Sequence, residues 1–374
     1  MLTQVAAGSD RDRFATLVVS MTEGGAMARV LTDCGIGVET LGMRRGRADP
    51  RGLLRLLCIL RAWRPDLVQT WLYHADLLGL AARRLGRVPR LLWNIRCSGS
   101  VGSPMLYRLL SAGSRMPDGV VVNSLAGQRF HQQLGYRPKC WEYIPNGFDT
   151  EAFRPNGEAR QRLRRELAIA DTTIVIGMAA RYHPMKDHAN FLAAAAGLAQ
   201  CRDDVAFVLA GTGTTPDNRE LAAAIGEHGL TQRVRLLGER QDIAAVYPGF
   251  DIATLSSAFG EGCPNALGEA MACGVPCVAT ECGDSAELLG DTGFVVARRD
   301  PAALGAGWER LAAMPAAERR SLGRRARRRI EREYALDLII RRYETLYFEI
   351  AGADGVRRQL QKSNERNQLQ SGET

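Results

Sequence analysis

Two carboxylates and two cations are the residues of this 374-residue chain whose types and spacing could do chemistry. Glu261 and Glu269 are separated by seven residues, Gly262-Cys263-Pro264-Asn265-Ala266-Leu267-Gly268. Asp251–Leu255, ahead of them, reads as a buried strand, and Pro264 suits a helix's first turn, where a missing N–H costs nothing. Gly274 and Pro276 end that helix, and Cys277–Thr280 reads as the next strand. A loop between such a strand and helix lies at the carboxyl edge of a parallel sheet, where open α/β folds take ligands. The helix start adds free N–H groups and a positive dipole end, a setting for phosphate. Glu261 on the loop and Glu269 about one and a half turns into the helix can flank one pocket. Taken singly, each carboxylate is better explained as a solvated surface group; the flanking glycines and the strand–loop–helix context favour the pocket.

The cations follow a second strand end, in Gly177-Met178-Ala179-Ala180-Arg181-Tyr182-His183-Pro184-Met185-Lys186-Asp187. Asp187 reads as a helix N-cap. Arg181 and Lys186 would share the same carboxyl edge and grip a diphosphate from two sides, one as a fork and one as a point charge. Lys186 is one of only three lysines, with Lys139 and Lys362, in a chain otherwise rich in arginine. Gly211-Thr212-Gly213-Thr214-Thr215-Pro216 lacks the third glycine of a dinucleotide fingerprint, so its glycines are expected to pack around a nucleotide instead. Of the histidines, His74 follows a strand and opens a helix, which would let it line a cleft, although a helix-start histidine bonded to backbone is an equal reading. His183 lies in the phosphate loop, and His131, His188 and His228 read as surface residues.

The elements that must hold these residues alternate strand and helix throughout, the signature of parallel α/β sheets. Strands are expected at Phe14–Met21, Gly37–Leu41, Asp66–Trp71, Leu91–Ile95, Gly119–Asn123 and Trp141–Ile144. Pro50–Trp63 and His74–Leu85 have the clearest helical spacing. After the turn formers Pro145-Asn146-Gly147 the alternation restarts: strands at Thr173–Ala179, Val205–Ala210, Val234–Leu237, Asp251–Leu255 and Cys277–Thr280, with helices at Asp187–Gln200, Asn218–His228, Ile243–Tyr247 and Pro264–Cys273. The expected organisation is one α/β domain over 1–147, a second over 148–334, a returning helix over 335–351 and a polar tail over 352–374. Arg319–Arg329 reads as an exposed helix face.

Composition excludes several classes. At 46% hydrophobic and 24% charged, the chain is neither disordered nor a collagen-like repeat. No uncharged apolar run reaches the roughly 18 residues of a membrane span; Leu53–Leu60 is broken by Arg55. No leader is recognised, and nine scattered cysteines fit a reducing compartment, so a cytoplasmic location is expected. Cys273, Cys277 and Cys282 have the wrong spacing for zinc and read as small buried residues. The net charge of +8 is uneven: residues 1–147 hold 20 Lys+Arg against 10 Asp+Glu, and the remainder 29 against 31. That imbalance turns the first half towards an anionic partner, and the arginines beside leucines in Pro50–Trp63 and Arg83–Arg90 fit a membrane surface as well as a solvated face. No nucleic-acid motif or stacking aromatic series accompanies them.

Together these pieces resemble a family-four retaining nucleotide-sugar glycosyltransferase of the GT-B fold. The resemblance rests on Ile144-Pro145-Asn146-Gly147-Phe148-Asp149, Ala180-Arg181 with Lys186-Asp187, Leu209-Ala210-Gly211-Thr212-Gly213, Leu237-Gly238, and Glu261-Gly262-Cys263-Pro264-Asn265 through Glu269-Ala270-Met271-Ala272. It implies two Rossmann-like, doubly wound parallel-sheet domains facing a central cleft, with the C-terminal helix crossing back to the first. It also implies that Glu269 binds the donor's ribose, that Arg181 and Lys186 neutralise the diphosphate, and that amides around Asn265, Ala266 and Leu267 add contacts. Gly211 and Gly213 would pack at the nucleotide, Glu261 would lie by the transferred sugar, and His74 and Arg96 are the acceptor-side candidates. The donor would be a UDP- or GDP-sugar, the acceptor lipid-linked or a glycan, with no metal and no resident cofactor. The first domain is expected to lack the family's opening strand and Gly-rich loop. Two alternatives stand beside this reading: a non-catalytic donor- or partner-binding GT-B protein, and a sugar-nucleotide epimerase.

Overall fold

The computed structural model describes residues 1–44, 49–86, 88–99 and 103–352. Twelve strands are found among them: β1 (Leu17–Ser20), β2 (Gly37–Thr40), β3 (Val68–Trp71), β4 (Leu91–Ile95), β5 (Gly119–Val122), β6 (Trp141–Tyr143), β7 (Ile174–Ala179), β8 (Val205–Ala210), β9 (Val234–Gly238), β10 (Ile252–Leu255), β11 (Cys277–Thr280) and β12 (Gly293–Val296). Helices connect most of them, and their starts follow the local chemistry. Asp49, Ser103 and Asp300 cap helices that open with Pro50, Pro104 and Pro301, and Ser124, Asn156, Asp187 and Asn218 cap others through side-chain oxygens.

In the second domain the sheet runs β12-β11-β10-β7-β8-β9, all parallel. The order reverses between β7 and β10, and the crevice beyond the carboxyl ends of strands at such a switch point is where doubly wound sheets bind ligands. The two loops carrying the four chemical residues leave these two adjacent strands. β10 is anchored at its start by Asp251, whose carboxylate accepts from Val175 N–H at 2.9 Å, Arg160 at 2.8 Å and Arg164 at 3.2 Å. Arg164 is almost fully buried and also donates to the carbonyl oxygens of Ala170 and Thr173 at 2.6 and 2.5 Å. A guanidinium so enclosed persists because each of these acceptors offsets its desolvation.

The first domain has a parallel four-stranded sheet, β3-β4-β5-β6, and a separate parallel pair, β1-β2. Among the described residues no strand pairing joins these two sheets. Alternate residues of β4 supply two cores. Leu91, Trp93 and Ile95 face one cluster, and Leu92 faces another with Val121 and the returning helix at residues 336–352. That helix contributes Ile339, Tyr343 and Leu346, and Tyr343 Oη accepts from Asn94 Nδ2 at 2.9 Å. The crossing back to the first domain is therefore observed.

The chain passes between domains twice at one point. Phe148 N–H donates to the Tyr334 carbonyl and Leu336 N–H to the Phe148 carbonyl, each at 2.9 Å. Gly147 fits there because a side chain would meet Leu336 Cα at 2.9 Å.

Several expectations are corrected. β12 is not among the expected strands: it is a short, half-exposed outer strand flanked by turn formers, with little pattern to betray it. Ile243–Tyr247 ends as a helix at Val246 and continues as a tighter 3-10 turn, Tyr247–Gly249. His131 and His188 are buried rather than on the surface, because Tyr73 packs on the first and Tyr182 on the second. His131 accepts from Tyr73 Oη on Nε2 at 3.0 Å and donates from Nδ1 to the Gly127 carbonyl at 2.7 Å. Arg319, Arg327 and Arg329 bind backbone carbonyls of other segments rather than forming only a solvated face. The tail at 353–374 lies outside the described residues, as does Arg87 of the arginine-rich stretch Arg83–Arg90.

Candidate active site

A cleft of about 780 Å³ lies between the two sheets, at the carboxyl ends of their strands. From the second domain it is lined by Arg181, Lys186, Gly211, Thr212, Tyr247, Glu261, Asn265, Ala266 and Glu269, among others; from the first by Trp71, Arg96, Asn123 and Asn146. Most of the sequence-derived candidates are brought together here. Three are not. Leu267 points into the core, so only its backbone amide is available to the cleft. Gly213 supports the turn behind Gly211, with a positive φ of 82°. His74 is exposed at the start of its helix and does not line the cleft. Its neighbour Tyr73 turns inward instead.

The centre of the site is an ion pair between Lys186 and Glu261, which leave β7 and β10 and meet where those strands lie side by side. Their side chains are 16% and 8% exposed, enough enclosure for each to need the other. Ser257 Oγ donates to the same Glu261 Oε1 at 2.6 Å, orienting the carboxylate. The two loops also bond through backbone, Ala258 N–H to the Met185 carbonyl at 2.9 Å. Arg181 is exposed at the mouth and makes no ion pair among the described residues, which leaves its fork open to an anion.

Beside this pair the helix Asn265–Ala272 starts in the cleft. Amides in its first turn have no acceptor within the helix and present partial positive charge. Glu269, further along, accepts from Tyr247 Oη at 2.9 Å. Burial lifts the Glu269 carboxyl above its ordinary value, and the Tyr247 hydrogen bond only partly opposes this. Tyr247 is pushed far up by the same enclosure and stays a donor. Gly211 makes room for this end of the cleft: its φ is 144°, and a side chain would strike the backbone at Ala180 and Arg181.

The facing wall is polar. Arg96 lies over the Trp71 ring with its Cζ 5.3 Å from the centroid, and it hydrogen-bonds Asn146 Oδ1. Asn146 reaches across the cleft, donating to the Cys263 carbonyl at 2.9 Å and Asn265 Oδ1 at 2.6 Å. Ser98 Oγ donates to the Glu261 carbonyl, again across the cleft. Tyr247, Ser257, Asn123, Asn146 and Ser98 were not singled out from sequence. Asn146 had a signal in the Pro-Asn-Gly turn and Ser257 lies four residues before its partner Glu261, but Tyr247, Asn123 and Ser98 are single polar residues whose partners lie far along the chain. Among the described residues, no cluster of three or more His, Cys, Asp or Glu side chains is placed to hold a metal ion.

Residues 173–314 match the family described as glycosyl transferases group 1, and residues 3–152 match Glycosyltransferase Family 4. The chain belongs to the group 1, family 4 glycosyltransferases. Its fold is that of the GT-B members: the crystal structure of Anabaena Alr3699/HepE in complex with UDP superposes with a TM-score of 0.81 at 25% identity, covering 92% of this chain and 94% of that one. Among curated family relatives, the putative glycosyltransferase EpsF of Bacillus subtilis is 36% identical over 156 residues, 42% of this chain. The Escherichia coli UDP-Gal:alpha-D-GlcNAc-diphosphoundecaprenol alpha-1,3-galactosyltransferase is 25% identical over 244 residues, 62% of this chain. The chain spans 40% and 62% of the lengths of these two relatives.

The raised Glu269 carboxyl gives a pH prediction. Hydroxyl donors on a ligand need the carboxylate form as acceptor, so a group with a raised pKa loses that form earlier as pH falls. Affinity for a nucleotide-diphosphate sugar, followed by titration calorimetry, is therefore expected to decline on the acid side starting above the usual glutamate range of about 4.3. In Glu269→Gln this acid limb should vanish, along with most of the affinity.

Proposed function

We propose that this protein transfers a hexose or N-acetylhexosamine from a UDP- or GDP-sugar to a lipid-linked or polysaccharide acceptor, with retention at the anomeric carbon. The observation that carries the reading is the Lys186–Glu261 pair set between a helix N-terminus and the Glu269–Tyr247 pair in one interdomain cleft. The family membership, the UDP-bound neighbour and the diphosphoundecaprenol acceptor in the E. coli relative's name support it.

In this reading Glu269 accepts from the ribose hydroxyls, while Arg181, Lys186 and the first amides of the helix Asn265–Ala272 bind the diphosphate. As the bond from the anomeric carbon to the phosphate oxygen breaks, negative charge grows on that oxygen, and donors already fixed in place stabilise it most. Lys186 leaves Glu261 for the phosphate, and the freed carboxylate faces the sugar, where it orients hydroxyls and offsets positive charge at the anomeric carbon. Arg96 carries no acceptor and cannot take a proton; it serves the acceptor or leaving group electrostatically.

Acceptor delivery from an anionic membrane fits the first domain. Leu54, Leu77, Leu85, Met105 and Leu109 are exposed on three of its neighbouring helices, with Arg51, Arg61, Arg84 and Arg108 also exposed there. No helix among the described residues is long and apolar enough to cross a membrane, so the contact would be peripheral.

A thermal-shift and sugar-release screen with UDP-, GDP- and ADP-sugars tests the reading. Stabilisation by one base, with release or transfer, is the expected outcome, and the product's anomeric proton coupling reports retention. Lys186→Ala should lower turnover by about a hundredfold or more while Glu269→Ala mainly loses donor binding. Binding to no nucleotide would remove the reading. For the membrane, co-sedimentation with anionic but not neutral vesicles is expected, and equal binding to both would remove that part.

A further inference from the structure

The helix Leu125–Gln133 of the first domain opens with amides that need acceptors. Ser124 Oγ takes Gly127 N–H at 3.0 Å, and the Ser124 carbonyl takes Gln128 N–H at 3.0 Å. The remaining two, Leu125 and Ala126, donate to the two oxygens of one carboxylate, at 2.6 and 2.9 Å. That carboxylate is Asp284, which stands after β11 in the second domain and is 4% exposed.

The turn that carries Asp284 also holds the Glu261 loop from behind. Asp284 N–H donates to the Gly262 carbonyl at 2.9 Å. Gly283 before it has φ 61°, and a side chain there would meet the carbonyls of both Glu261 and Gly262 at 2.5 Å. On the far side, a side chain at Gly262 would meet Asn123 Oδ1 at 3.0 Å, and Ser98 reaches Glu261 from the first domain. The Glu261 loop is thus clamped between the Asp284 turn and the first domain's wall. At the crossing point the domains are tied by the two backbone hydrogen bonds of Phe148, a natural hinge.

We infer that Asp284 is a closure latch and a positioning residue: its bidentate bond to the helix at Leu125 and Ala126 fixes the domain geometry in which Glu261 is pressed into the cleft. The catalytic part of this rests on the proposed transfer reaction. The contact suits reversible closure, because water can replace both the amides and the carboxylate when the cleft opens, leaving a modest net gain. A dipole-assisted bond at a helix start still makes closure directional, since the Asp284 carboxylate meets both free amides of that helix end.

Two variants attack the latch from opposite sides. Asp284→Asn keeps the shape and removes the charge and one acceptor. Leu125→Pro removes one donor at the first helical position, where proline is tolerated and the preceding Ser124 already has the extended backbone it requires, φ −152° and ψ 143°. Each is expected to speed hydrogen exchange at Ala126 by about tenfold or more, Asp284→Asn doing so at Leu125 as well, and to enlarge the radius of gyration in X-ray scattering. Turnover should fall by about tenfold through kcat, with UDP or GDP affinity within about twofold, because the nucleotide residues lie in the second domain. Ser124→Ala, a cap loss that does not cross the cleft, should speed exchange at Gly127 alone and leave turnover unchanged. Wild-type exchange, scattering and turnover in both latch variants would overturn the inference, as would parallel loss of melting temperature and nucleotide binding with unchanged scattering, which marks a purely structural role. A wild-type protein without turnover, whose variants still show the exchange and scattering changes, would leave the latch standing and remove the transferase reading.

Discussion

A lysine ammonium enclosed in a protein cleft must have an anion beside it, and in this chain Glu261 supplies it. The Lys186–Glu261 pair ties the loop after β7 to the loop after β10 at the point where the sheet order reverses. Much of the site is arranged around that requirement: Ser257 fixes the carboxylate, Ser98 and Asp284 fix the loop's backbone, and glycines at 260, 262 and 283 let neighbouring segments approach it closely. A diphosphate offers Lys186 a stronger counter-charge than one carboxylate. In the proposed reaction, entry of such a ligand releases Glu261 to face the transferred sugar, so one exchange of partners would link binding to chemistry.

The rest of the cleft divides the work by charge. The end near Glu269 and Tyr247 is acidic and hydrogen-bonding, suited to a ligand's hydroxyls, while Arg181, Lys186 and the helix start at Asn265 form a positively charged middle suited to an anion. Arg96, Asn123 and Asn146 present a polar wall from the other domain. Asn146 bridges the two, bonded to Arg96 on one side and to Asn265 on the other. The contact between the domains therefore completes the polar lining of the cleft.

What the sequence disclosed follows the range of the interactions involved. The strand–loop–helix around Glu261 and Glu269 and the strand end before Lys186 are local patterns, and the structure has both where the spacing puts them. Leu91–Ile95, Val205–Ala210 and Cys277–Thr280 agree to the residue because buried parallel strands are continuous apolar runs bounded by turn formers. The partners of these residues were not legible. Tyr247 and Asp284 matter only because the fold brings Glu269 and the helix at Leu125 to them, and no local spacing encodes that. His131 looks like a surface residue for the same reason, since the tyrosine that covers it, Tyr73, is distant in sequence, whereas His188 is covered by Tyr182 only six residues before it. His74 shows the converse, since a residue after a strand can point outward if its neighbour takes the inward place.

The central claim is that Lys186 changes partner when a donor binds. A crystal structure of the protein with UDP or GDP, whichever binds, tests this most directly. The account predicts Lys186 Nζ within hydrogen-bonding distance of a phosphate oxygen, Glu261 free of it, and the ribose hydroxyls on Glu269. A nucleotide bound elsewhere in the cleft, with Lys186 still held by Glu261, would contradict it.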